Sequence, residues 1–113
     1  MLREERAERI AYDAGRDEAR VLTGLTQHGR IGRARDEVDL LLDASGYLVG
    51  VDLGGAGLER TVVMVGPHEA VASTQKAVVE IARDAAGQVA EVVITSAATS
   101  IRARDRNPYI LRY

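Results

Sequence analysis

Cysteine is absent from the 113 residues, which excludes a disulfide framework and any thiolate metal site and fits a reducing compartment. No run approaches the ~20 apolar residues that cross a bilayer as a helix, and the start, Met1-Leu2-Arg3-Glu4-Glu5-Arg6, lacks the apolar centre of a signal peptide. The expectation is a cytoplasmic chain without a membrane partner. Histidine occurs only at His28 and His68, and neither Ser45 nor Ser73 has the glycine-flanked setting of a nucleophile elbow. No pair of ligands at helical spacing pre-arranges a metal site. No catalytic residue, metal or cofactor is assigned, and an enzyme is the disfavoured class. A single lysine, Lys76, stands beside fourteen arginines, a bias that the codon usage of a GC-rich genome explains better than phosphate binding does. The formal net charge of −2 argues against a surface built wholly for nucleic acid.

What is present is enough for one domain that buries roughly two thirds of its unfolded surface. The organising stretch is Val38 to Gly66. Val38, Leu40 and Leu42 alternate with Asp39, Leu41 and Asp43, then Tyr47, Val49, Val51 and Leu53 alternate with Leu48, Gly50 and Asp52, a period of two written twice. Asp43-Ala44-Ser45-Gly46 between them has the chemistry of a hairpin turn, with Asp43 accepting from nearby backbone N–H groups and Gly46 at positive φ. Thr61 to Val65 reads as a third strand and Val89 to Thr95 as a fourth.

Two segments read as helices. Ala7, Ile10, Ala11, Ala14, Val21, Leu22 and Leu25 follow spacings of three and four, predicting a helix over 2–27 that Gly15 weakens. Pro67 suits a first helical position, Glu69 the first turn, and Val71, Thr74, Val78, Ile81 and Ala85 a stripe, predicting a helix over 67–86 capped by Gly87. The expected fold is therefore α+β, a two-layer sandwich in the order αβββαβ. Its mostly antiparallel sheet has strands near 37–43, 47–53, 60–65 and 90–95 and a fifth at 100–106, with a right-handed crossover through the second helix. The domain is expected over 1–96, followed by a basic tail over 97–113.

Three groups of residues stand out as candidate sites. The tail carries Arg102, Arg104, Arg106, Tyr109, Arg112 and Tyr113, residue types enriched where proteins bury contacts, and it can add to a sheet edge. Arg30, Arg33 and Arg35 lie in a glycine-punctuated loop at 28–35 and suit a phosphate backbone. His68, with Gly55 and Gly57 of the Gly54–Gly57 run, is the small-ligand candidate, although those glycines lead into a strand and not the helix that a phosphate loop needs.

The order helix, three strands, helix resembles the double-stranded-RNA-binding domain over residues 2 to 86. That family's lysine-rich start to the second helix is replaced here by His68-Glu69-Ala70-Val71-Ala72, so its phosphate-binding residues do not carry over. Gly29 to Val65 looks like a PRC-barrel module through Gly32, Asp39-Leu40-Leu41-Leu42-Asp43 and Gly46-Tyr47-Leu48-Val49. The strand preceding that module is missing, and the long second helix is foreign to it. The leading expectation is a small protein-interaction or regulatory module, homodimeric, using the first helix and the tail as contact surfaces. Nucleic-acid binding through the arginines is the alternative, and a ligand module around His68 the third.

Overall fold

The computed structural model describes residues 2–23, 30–54, 60–85, 87–95, 101–102 and 107–109. Among them the chain is almost entirely strand: β1 (Leu2–Arg6), β2 (Arg9–Asp13), β3 (Glu18–Leu22), β4 (Arg30–Leu42), β5 (Leu48–Gly54), β6 (Arg60–Met64), β7 (Ser73–Asp84) and β8 (Val89–Thr95). They form one curled sheet, a half-barrel, in the order β1-β6-β5-β4-β7-β8-β3-β2. Every pairing is antiparallel except β1 with β6. The two-layer α+β sandwich is thereby overturned, and with it the likeness to the RNA-binding domain's element order. The only described helix is a single 3-10 turn at His68–Ala70, and no described helix is long and apolar enough to cross a membrane.

The expected first helix is three strands. Ile10 and Tyr12 pack on the core, as do the fully buried Ala19 and Val21, each alternating with residues turned the other way, which is period two. The alanines at 7, 11 and 14 fit a helix or a strand equally, so the apparent stripe rested on residues with little to bury. Gly15 does not interrupt a helix but sits in a turn, where Asp13 Oδ1 accepts the N–H groups of Gly15 and Arg16. The expected second helix is the 3-10 turn followed by β7. Ala77, Val79 and Ile81 face the core while Lys76, Val78 and Glu80 face away, and β-branched Thr74, Val78, Val79 and Ile81 suit the pleat. With β7 set between β4 and β8, the expected crossover does not exist. Gly87 has the positive φ expected of it, 81°, but in the β7–β8 hairpin and not at a helix end.

The curl follows from how the first segment is used. β1 runs along β6 and ends with Ala7 N–H donating to Met64 O at 2.9 Å, and the next residue, Glu8, donates to Leu22 O at 2.7 Å to begin β2 along β3. The two outer strands are thus consecutive pieces of one extended course that changes partner between Ala7 and Glu8. A flat sheet would hold them seven strands apart, so the sheet has to bend until β6 and β3 approach.

The concave side holds the main core, including Val21, Val38, Leu40, Leu48, Val51, Val63, Val79, Val92 and Ile94. On the convex side a smaller cluster of Val49, Val62 and Met64 is covered by Ala70, Val71 and Tyr109. Asp52 is 5% exposed on that side and is held by the Arg60 guanidinium and by Gly54 N–H at 2.9 Å. The Arg60 hydrogen bond outweighs the opposing effect of burial and keeps the Asp52 carboxyl below the ordinary carboxylate range. A carboxyl depressed on folding contributes stability above its unfolded pKa, near 3.9, and that contribution disappears as pH falls through the folded value. Calorimetric scans should therefore show the melting midpoint falling below about pH 4, and Asp52→Asn should flatten that fall while lowering the midpoint at neutral pH.

Candidate interaction edge on β4

β4 is thirteen residues long, but β5 accompanies only its last part, from Asp39↔Asp52 to Leu42↔Leu48. β7 accompanies it throughout, from Arg30↔Asp84 to Leu42↔Ser73. At Asp52 the ladder between β5 and β6 is irregular, and Gly54 bends away at a φ of 65°. Residues 30–38 therefore run beyond β5 as the open edge of a sheet that β7 and β8 continue, and among the described residues no strand lies on their other side. Gly32 through Glu37 are all exposed, a run of six in a strand whose continuation, Val38 to Leu42, alternates buried and half-buried.

The direction of the backbone groups follows from neighbouring bonds. Ala72 N–H donates to Leu42 O, so the even-numbered residues of β4 turn toward β7. Val65 N–H donates to Val49 O, so Val49 and Val51 turn to β6, Gly50 and Asp52 to β4, and their partners Leu41 and Asp39 to β5. Along the overhang the N–H groups of Ala34, Asp36 and Val38 are consequently spent on β7, whereas those of Arg33, Arg35 and Glu37 point to the open side. One of these is already capped: Glu37 N–H donates to the Asp36 carboxylate at 2.9 Å.

The overhang is braced from the convex side. Glu91 of β8 is 2% exposed, and Arg33 and Arg20 close over it, with N–O distances of 3.0 and 3.3 Å. Arg33 also pairs with Glu80 at 3.0 Å, and that hydrogen bond raises its pKa. Arg33 is therefore a strut between β4, β7 and β8. Arg35 and Glu37, two residues apart on the same face, have no side-chain ion pair among the described residues. On the concave side an open cleft of about 420 Å³ lies at the start of β4 beside the β7–β8 turn, lined by Gly32, Ala34, Ile81, Arg83, Asp84 and Ala85. Gly32 has open space where a Cβ would stand.

Of the arginines expected to bind phosphate, Arg30, Arg33 and Arg35 thus fall on one strand and not in a loop. Arg33 is engaged by two carboxylates, Arg35 is exposed, and the Arg30 side chain lies outside the described residues. His68 is exposed on the 3-10 turn, 3.3 Å from Glu4, while Gly55 and Gly57 lie outside the described residues. No group of three metal-ligating side chains gathers among the described residues.

In the tail, Arg104, Arg106, Arg112 and Tyr113 lie outside the described residues, as does most of the strand expected at 100–106. The described part folds on the chain's own β4–β5 hairpin. Ile101 enters the core, the Arg102 guanidinium lies 4.7 Å from the Tyr47 ring centroid, and Asn107 Nδ2 donates to Leu48 O at 2.9 Å. Tyr109 hydroxyl donates to Asp43 Oδ2 at 2.6 Å, while Asp43 Oδ1 accepts from Ser45 and Tyr47 N–H in the turn. Burial works against ionisation of Asp43, but these bonds prevail and its carboxyl lies below the ordinary range; the same contact pushes the Tyr109 hydroxyl up. The open edge of β4 was not visible in the sequence, because the glycines at 29 and 32 read as loop. The β-compatible alternation of Arg33, Arg35 and Glu37 with Ala34, Asp36 and Val38 was the available signal.

No family model matches the chain, and no curated protein or solved structure matches it.

Proposed function

We propose that this protein is a protein-interaction module that receives an extended segment of a partner along the open side of β4, between Arg33 and Val38. The observation behind this reading is the overhang: backbone groups of Arg33 and Arg35 point outward from a strand already held rigid by β7 and by the Arg33–Glu91 strut. An added strand gains main-chain hydrogen bonds there at little ordering cost to the receptor. The charges on the strand keep unselected edges from pairing and leave specificity to the partner's side chains. The cleft beside Ala34 and Ile81 offers a place for one apolar partner side chain.

Proline separates the outward face of the backbone from the inward one. Arg35→Pro removes an N–H that no ladder bond uses, as edge prolines do, and should leave the melting temperature within a few degrees of the parent while abolishing strand capture. Ala34→Pro removes a ladder donor to β7 and should cost about 3 kcal/mol or more. The test is selection of heptapeptides by display against the folded chain, followed by binding to Arg35→Pro and to an Arg35→Ala control. Selected peptides that bind the control and lose binding to the proline variant support the reading. Peptides that bind the proline variant unchanged, or a selection that yields none, contradict it.

A further inference from the structure

The same edge carries a charge pattern that is complementary to itself, and we infer that its partner is a second copy of this chain, joined β4 to β4 in antiparallel register about a two-fold axis at Asp36. The inference rests on the strand-capture reading above and adds the identity of the partner.

Two copies of one edge can pair only so that outward-facing residues oppose outward-facing residues, which here are the odd-numbered ones. Few registers then remain. An axis at Ala34 sets Arg33 against Arg35 of the second copy twice, and an axis at Arg35 sets that arginine against itself. An axis at Glu37 opposes two glutamates and drives Arg35 toward Asp39, whose edge β5 already occupies and which Lys76 already holds at 3.3 Å. An axis at Asp36 pairs Arg35 with Glu37 of the second copy, and by symmetry does so twice. Arg35 and Glu37 are the two exposed charges on this face with no ion pair among the described residues, so nothing has to be broken first. In this register Ala34 opposes Val38 on the concave side, and pairing stops at Val38, where β5 takes over the edge. The arrangement has one unfavourable element, the approach of the two Asp36 carboxylates at the axis. Each of them now caps Glu37 N–H, and each has to yield that donor as the strands join. About five residues per chain make contact, so the dimer belongs to the transient class.

Sedimentation velocity across chain concentrations up to about 1 mM tests this at low salt. The parent should shift from monomer to dimer within that range. Arg35→Glu and Glu37→Arg should each weaken association tenfold or more, the double exchange Arg35→Glu/Glu37→Arg should restore it to within about threefold, and Asp36→Asn should tighten it several-fold, since like charges no longer meet. All three side chains changed are exposed, so the fold is not at stake. A chain that stays monomeric to the top of the range, with Asp36→Asn monomeric as well, overturns the inference and leaves peptide capture to be judged by its own selection experiment. A dimer indifferent to the two single reversals, or unrescued by the double one, overturns it too, because association then uses another surface.

Discussion

Replacing Gly50 with valine is expected to lower the stability of the chain by about 3 kcal/mol, a fall of roughly 10–20 °C in melting temperature for a domain of this size. Two effects oppose each other. A glycine inside a strand is a weakness, and a β-branched residue there ordinarily gains. At this position, however, an added Cβ would stand 2.9 Å from Met64 Sδ, 3.0 Å from Val63 O and 3.3 Å from Leu41 Cδ1. The methionine end can swing aside, but the Val63 carbonyl belongs to the β5–β6 ladder and cannot. Sterics therefore decide the sign. Gly32→Val provides the contrast, because its Cβ meets nothing within 4 Å, and that variant should be neutral or slightly stabilising. Equal losses at the two sites would mean that strand propensity, and not the close approach of β5 to β6, governs both.

The second large effect is expected at Glu91. Its carboxylate is almost wholly enclosed beneath Arg20 and Arg33, yet those two side chains are 32% and 37% exposed. Removing the carboxylate leaves two cations that water can still reach, so the cost falls short of that for a pair buried at both ends. Glu91→Ala should lose about 2–3 kcal/mol, and Glu91→Gln, which keeps the volume and an acceptor, about half of that. Urea unfolding measures both. The same variant untethers Arg33 from β8, so any strand capture along β4 should weaken beyond what the stability loss accounts for.

What was legible in the sequence is the hairpin around Asp43 to Gly46 and the strands on either side, with Leu40 and Leu42 sharing the main core as a period of two requires; on β5 the period breaks at a bulge, which turns Val49 to the convex cluster while Leu48 and Val51 face the main core. The first three strands were not, since charged residues fill much of them and the alanines at 7, 11, 14 and 19 contribute too little burial to distinguish a period of two from one of 3.6. β7 is hidden for a different reason: Pro67 and Glu69 do open a helical turn, but it lasts only from His68 to Ala70. A turn signal was nevertheless there. Asp13-Ala14, Asp43-Ala44 and Asp84-Ala85 each begin a hairpin, and in each the aspartate Oδ1 accepts a backbone N–H from two to four residues on. Asp84 and Gly87 repeat the spacing of Asp43 and Gly46, a signal for a strand before them. As for the edge, the arginines at 30, 33 and 35 stand out in the sequence, but their direction depends on where β5 leaves β4, which is a long-range property of the sheet.

Backbone amide exchange along Arg33 to Val38, followed by NMR in dilute solution, tests the open edge most directly. The N–H groups of Ala34, Asp36 and Val38 should be protected together with the β7 ladder, whereas those of Arg33 and Arg35 should exchange at nearly the rate of an unstructured chain. Uniform protection across all six residues would show the outer side of β4 to be already paired within the monomer, and uniform lack of protection would show the β4–β7 ladder not to be formed.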